Sequence, residues 1–440
     1  MKRKIHFLFT MSLCLATLGF TSCENDEPQL PVQEEIVPEE EPKVEEPKSE
    51  EPQSRGAIPI PLEGKQNAIN NKLNDFAWRL FSEAYAKKTE PANILLSPLS
   101  LEVALAMFQN GLVPEDQLEM LKTMGLEEYT AEEVNAYFKT MVEGIVEADD
   151  QATLEIANAL WYKDGYRINA DFQQALETNF DAKVQDAPFD NTTIDAINQW
   201  CAEKTHDLIT ELFESPEDVD VFALLNAVYF KAGWEIPFKK EYTEDRPFYF
   251  ADGTTKNIPM MLKNPGREEI SDSFNYLEND NFQALALPFR NKAFMWFAIM
   301  PKEDKSIEET LPLIKAETLD ALANSKDRLA QIIIPKYEIS YSVENLVNII
   351  DALNPDLHFR YLNFQSAFET LLPPDMGIAA LQKTCFKIDE EGAEAAAVTG
   401  IPGVTSVPPS TTFDHPFIYG LMETSSGCPL FIGYFGDKTE

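Results

Sequence analysis

Histidine is scarce in this chain. There are four in 440 residues (His6, His206, His358, His415), all far apart in sequence, which leaves most histidine-based metal sites and catalytic triads without raw material. Positive charge is also short, with 36 Lys and Arg against 74 Asp and Glu and a formal charge of −38. A surface of that sign repels polyphosphates and sulfated sugars, so DNA, RNA and heparin are excluded as partners. Cysteine is sparse: beyond Cys14 and Cys23 there are Cys201, Cys385 and Cys428. Three cannot all pair, and so long a chain builds a core without staples, so they are expected to be small buried hydrophobes. The spacings Gly-x-Ser-x-Gly, Ser-x-x-Lys, His-Glu-x-x-His and Gly-x-x-x-x-Gly-Lys do not occur, and no catalytic, cofactor or metal motif is found. Cys201 and His206, five apart on a predicted helix, point to different faces, which argues against a Cys–His dyad. A hydrolase is therefore the weakest functional class.

What the chain does contain is an ordinary globular composition, 44% hydrophobic and 25% charged. It is long for one average domain, although single folds of this size exist. Lys2, Arg3 and Lys4 precede a sixteen-residue apolar run at 5–20, the order of a secretory signal and too short for a comfortable membrane span. Thr21-Ser22-Cys23 then resembles the lipobox of bacterial lipoproteins, although Phe20 stands where Leu is usual. The resemblance implies cleavage before Cys23 and its lipidation; the alternative is an ordinary signal with an incidental cysteine. Glu24, Asp26 and Glu27 resemble the surface-export signals of some Gram-negative lipoproteins, and imply an outer-membrane, cell-surface address with membrane contact through the lipid alone. Between residues 24 and 56 twelve acids stand against Lys43, Lys48 and Arg55, in Glu-Pro units without aromatics. Such a segment cannot bury enough to fold and reads as an extended tether. The expected organisation is 1–22 signal peptide, 23–56 tether, and 57–440 one folded domain.

Within that domain residues 65–88 place Ile69, Leu73, Phe76, Ala77, Leu80, Phe81 and Ala84 at helical steps. Ser97-Pro98 reads as an N-cap and first helical position, opening a helix that Gly111 stops. Leu154 to Tyr162 alternates as a strand does, and Phe222 to Phe230 is almost continuously apolar, as a central strand is, with Asn226 its one strongly polar residue. Hairpins are predicted from 283–289 with 293–300 and from 415–422 with 429–435. Helices come first and strands later, an α+β pattern without internal repeats.

The informative stretch is Asp389-Glu390-Glu391-Gly392-Ala393-Glu394-Ala395-Ala396-Ala397-Val398-Thr399-Gly400, a run of small residues after an acidic turn. Alone it reads as a flexible surface loop. It resembles the reactive-loop hinge of serpins, and four other segments resemble serpin motifs in serpin order. These are Asn93 to Ser100 (NILLSPLS), Leu225 to Trp234 (LNAVYFKAGW), Pro335-Lys336-Tyr337 and Asp414-His415-Pro416-Phe417. From about residue 65 onward the chain is identified as a member of that family. The resemblance implies a serpin fold with three β-sheets, about nine helices and an exposed reactive loop at about 390–410. It implies a non-enzymatic, suicide-type inhibitor, expected to be monomeric, whose loop is cut by a target protease and then inserts into the largest sheet. An inserting strand presents alternate residues to a packed core, so these must be small. Counting alternation from Ala393 turns Ala393, Ala395, Ala397 and Thr399 inward and Glu394 outward, while Pro402 departs from a strand pattern.

By the same resemblance Ser97, Ser100 and Asn226 form a polar shutter whose side chains bridge the strands that part. Gln382 stands there in place of a histidine. Trp234, Lys336 and Glu390 form a breach in which Lys and Glu pair. Counting from Glu390 puts the scissile bond at Ser406-Val407; counting back from Pro408-Pro409 puts it at Thr405-Ser406. Residues 401–407 hold no charged or aromatic side chain, which favours elastase-like or subtilisin-like targets over trypsin-like ones, with papain-like cysteine proteases a weaker option. A non-inhibitory binding protein on the same fold is the alternative function.

Overall fold

The computed structural model describes residues 54–88, 92–216, 221–263, 274–325, 331–343, 346–373, 382–393 and 410–438. Among them nine α-helices occur: α1 (Lys65–Ala86), α2 (Pro98–Gln109), α3 (Pro114–Met124), α4 (Ala131–Glu147), α5 (Ala170–Phe180), α6 (Asn191–Lys204), α7 (Ile307–Thr310), α8 (Ala316–Ala323) and α9 (Leu346–Leu353). The strands are β1 (Ile94–Leu96), β2 (Ala152–Lys163), β3 (Lys183–Ala187), β4 (Phe222–Gly233), β5 (Glu244–Tyr249), β6 (Thr255–Lys263), β7 (Asn275–Glu278) and β8 (Phe282–Pro288). They continue with β9 (Phe294–Pro301), β10 (Gln331–Pro335), β11 (Tyr337–Val343), β12 (Gln382–Ile388), β13 (Gly392–Ala393), β14 (Ser410–Thr412), β15 (Phe417–Glu423) and β16 (Pro429–Phe435).

The predicted apolar positions of α1 are all buried. Ser97 caps α2, its hydroxyl accepting the Ser100 amide at 3.3 Å, with Pro98 in the first turn. Gly111 serves close approach rather than a left-handed stop: a Cβ there would lie 2.4 Å from the Phe364 ring. The two predicted hairpins form β8–β9 and β15–β16, the inner four strands of a six-stranded antiparallel sheet in the order β1-β16-β15-β9-β8-β7. Every residue of β15 and β16 is buried, so this sheet is the centre of the molecule. A second sheet runs β14-β10-β6-β5.

Among the described residues the strands form four hydrogen-bonded groups. The third is β13-β4-β2-β3 and the fourth is the pair β11-β12. Both flank one cleft, lined by residues 224–228 of β4 and 382–385 of β12, and among the described residues no ladder joins β4 to β12. On the inner side α2 packs against β4 and β16. On the outer side Ile197, Trp200 and Cys201 of α6 cover Ala159, Trp161, Ala223, Leu225 and Ala227, forming a second apolar cluster.

One residue of α2 runs against the apolar logic of the core. Glu102 is 2% exposed, and its Oε1 has no hydrogen-bond partner. Burial pushes this carboxyl well above the ordinary 4.5. The folded state thus keeps a proton that the unfolded chain releases above that value. Stability is fully present below about pH 4.5 and declines as pH rises from there toward the folded-state value, by up to about 1.4 kcal/mol per pH unit for this one proton. We predict that Glu102→Gln raises the thermal midpoint at pH 8 and that the gain vanishes at pH 4. Equal midpoints at pH 8 would show that the acid is not a liability.

Candidate functional site

The top of the cleft is built around the end of β4. Trp234 is 1% exposed, with its ring stacked on Phe289 at 4.7 Å, and its indole N–H donates to the Asp389 carbonyl at 2.9 Å. The Trp234 and Phe238 amides donate to the carbonyls of Glu391 and Glu390 at 3.2 and 2.8 Å. The turn after β12 is thereby fastened to the end of β4. Glu390 is buried, accepting from Lys336 Nζ at 2.7 Å and Thr243 Oγ1 at 2.8 Å. Burial pushes its carboxyl up, but these donors outweigh burial and hold it below the ordinary value. The resemblance named Trp234, Lys336 and Glu390, and the fold brings them together. Phe289, Thr243 and Asp389 complete the group; nothing in a single sequence distinguishes them from packing residues. Glu391 pairs with Lys240.

Immediately after, Gly392 and Ala393 pair antiparallel with Gly233 and Ala232. Gly392 has φ +122°, and a Cβ there would lie 2.4 Å from the Ala232 carbonyl oxygen, so the first rung admits glycine alone. The other hinge residues, Glu394, Ala395, Ala396 and Ala397, and both candidate scissile pairs among Thr405, Ser406 and Val407, lie outside the described residues, as does Cys23.

Midway down, the cleft encloses about 70 Å³ above Ser97 and Ser100 and beneath Trp200 and Cys201. Gln382 of β12 donates to the Ser97 carbonyl at 2.9 Å and accepts the Ser97 amide at 3.1 Å, while Ser97 Oγ donates to the Leu430 carbonyl at 2.8 Å. Asn226 of β4 turns the other way, donating to Asn158 Oδ1 on β2 at 2.7 Å; Asn158 in turn donates to the Phe180 carbonyl. The bridge expected across the parting strands is therefore absent from these contacts. Each polar group ties its own edge to its own side, and Asn226 Oδ1 stays buried without a partner. The cross-cleft contact comes from Lys383, whose ammonium donates to the Glu211 carbonyl at 2.8 Å in the segment that follows α6. Asn198 of α6 braces that segment through the backbone of Leu212 and Phe213.

The serpin (serine protease inhibitor) family model matches residues 71–437. The chain is a serpin. Among its relatives, neuroserpin of Mus musculus is 28% identical over 357 residues, covering 78% of this chain and 86% of the relative. Among solved structures, the thermophilic serpin tengpin in its native state matches at TM-score 0.74 and 24% identity, covering 88% of this chain and all of that one. Thyroxine-binding globulin in complex with thyroxine matches at TM-score 0.73 and 24% identity, covering 86% and 100%. These last two show the fold.

Two expectations for this serpin need correction. Cys201 and Cys428 are buried thiols, pushed up by burial, Cys201 to about 11, but Cys385 is half-buried on the outer face of β12 beside Ser340 Oγ at 3.4 Å. It alternates with buried Gln382, Thr384 and Phe386, so strand parity decides its exposure. His206 is not on a helix with Cys201. It follows α6 in the left-handed region, with φ 49°, and its Nε2 sits 3.0 Å from Glu155 Oε1 with the ring against Tyr229.

The breach pair carries a pH dependence of definite sign. A depressed carboxyl contributes stability above the ordinary carboxylate range, lost as pH falls through its lower folded value. We predict that Glu390→Gln lowers stability at pH 7 by about 1–2 kcal/mol, discounted for the part-exposed lysine. The difference between wild type and variant should shrink as pH falls below the ordinary carboxylate range. Parallel curves from pH 7 to 3 would exclude Glu390 as the titrating group.

Proposed function

We propose that this serpin is a suicide-type inhibitor that traps serine proteases by reactive-loop cleavage and insertion. The observation that carries the reading is the pairing of Gly392 and Ala393 with the end of β4, at the mouth of a cleft whose two edges lack a ladder. Continuing that antiparallel register puts Ala395 opposite Phe230, Ala397 opposite Val228 and Thr399 opposite Asn226. Partners in a ladder share a face, and Phe230 and Ala232 belong to the main core, so the inward set is the small one. Thr399 would bring a hydroxyl donor to the unpaired Asn226 Oδ1. Pro402 falls opposite Ala223, one rung before β4 begins at Phe222, so its missing N–H affects the end of insertion and not its start. The twelve residues of β4 span roughly 36 Å, the length of edge along which an inserting strand would pair. Each new ladder bond contributes ~1 kcal/mol.

The likeness to thyroxine-binding globulin keeps a binding role as the second reading. The small inward residues of the hinge argue for inhibition. For the wild type incubated with pancreatic elastase we expect a covalent complex stable to SDS. In Ala395→Arg a guanidinium must enter the core against Phe230, so insertion should lag behind deacylation and the loop should be cleaved without complex. Equal trapping by both proteins would exclude insertion as the mechanism, and no complex with any protease would leave the binding role.

We further propose that the protein is exported as a lipoprotein through Cys23 and held outside the outer membrane on the acidic tether, facing proteases of other organisms. With residues 401–407 free of charge and aromatics, elastase-like and subtilisin-like enzymes fit and papain-like ones fit less well. A pocket built around a buried acid finds no cation. Mass spectrometry of the peptide released by elastase should show a new N-terminus at Val407, or at Ser406 by the other count. Rapid trapping of trypsin with slow reaction toward elastase would refute this specificity.

A further inference from the structure

We infer that residues 54–60 form a strap restraining the opening of the cleft between β4 and β12. Admitting one strand between β4 and β12 requires a separation of about 4.8 Å beyond contact. The β12 edge is held to the body by Gln382 on Ser97 and by Thr384 Oγ1, which donates to the Leu95 carbonyl at 3.0 Å. The part left to move is β2-β4-β3 with α6. Its upper end is the turn between α4 and β2, because Ala152 pairs with Ala232, which pairs with Ala393.

The strap seizes that turn. Asp150 Oδ2 accepts the Arg55 amide at 2.9 Å and Arg55 Nε at 3.3 Å, and Ser54 Oγ, whose one proton is shared with Asn291 Oδ1, lies 3.2 Å from Asp150 Oδ1. The Ile58 amide donates to the Ala148 carbonyl at 2.9 Å. The same segment also grips the six-stranded sheet. Ser54 Oγ lies 2.8 Å from Asn291 Oδ1 in the β8–β9 turn, and the Ile60 amide donates to Ser425 Oγ at 3.0 Å in the β15–β16 turn. Those two turns are joined by the Thr424 amide on the Ala293 carbonyl at 2.8 Å. Asn291 Nδ2 donates to both Asp149 and Asp150, at 2.6 and 3.0 Å. Ile60 is 7% exposed and fills space that exists because residue 144 is glycine: a Cβ there would lie 2.8 Å from Ile60 Cγ2. The exposed Arg55 ion pair by itself holds little. Asn291 already ties the moving turn to the fixed sheet directly; the segment adds to that restraint by holding both at once, so the half-sheet cannot shift without breaking several bonds together.

The inference rests on the reading that this sheet opens, which the elastase experiment tests separately. Its own test needs no protease: hydrogen–deuterium exchange of the full chain, wild type against Asp150→Ala and the surface variant Arg55→Asp. Loss of charge-assisted bonds should speed exchange at residues 152–157 and 227–232 by about tenfold in Asp150→Ala. A smaller gain in the same segments is expected for Arg55→Asp, with β15 and β16 unchanged in both. Acceleration confined to residues 54–62, or uniform acceleration through β15 and β16, would overturn the inference.

Discussion

Two strand edges, those of β4 and β12, face each other across a cleft without a ladder between them. Unpaired edges in a sheet invite pairing with any extended segment. Here they are enclosed, with α2 beneath and α6 and its following segment above. The rest of the molecule can be understood as serving that enclosure. The six-stranded sheet supplies a rigid buried base, Gln382 and Asn226 anchor the two edges to opposite sides, and Lys383 closes the roof from the far edge. Among the described residues no ladder spans the cleft, and the contact of Lys383 with Glu211 is what holds the roof to the far edge.

Several groups around the cleft are left short of their best partners or conformations. Asn226 Oδ1 is left buried without a donor. Gly392 occupies a backbone conformation that other residues reach with strain, directly where the hinge meets β4. Glu102 adds a buried acid in the helix below. Each is a place where native stability is below what the same fold could reach.

How much was legible in the sequence depended on the range of the interaction. Helices α1 and α2, the two central hairpins and the alternation of β2 follow from local periodicity and caps, and each is found where that pattern puts it. The breach residues were legible through family motifs, because Trp234, Lys336 and Glu390 have distinctive chemistry at recognisable places. Their partners Phe289, Thr243 and Asp389 were not, since an ordinary side chain becomes part of a site when a distant strand is laid beside it. The direction of Asn226 is not legible for the same reason: its residue type marks it as polar within an apolar strand, but Asn158 on the neighbouring strand decides which way it turns.

By itself, then, the sequence determined the fold class, the family, the ends of the main elements and the small-residue character of the hinge. These depend on local spacing, side-chain volume and charge, which are properties of the linear chain. Tertiary structure decided that β4 and β12 face each other across a cleft, that Gln382 and Asn226 brace their own edges, that Cys385 faces outward, and that Ser54 and Arg55 bind a turn almost a hundred positions away. Those outcomes depend on which surfaces meet when the chain closes on itself, and residue order carries that information only through the packed core.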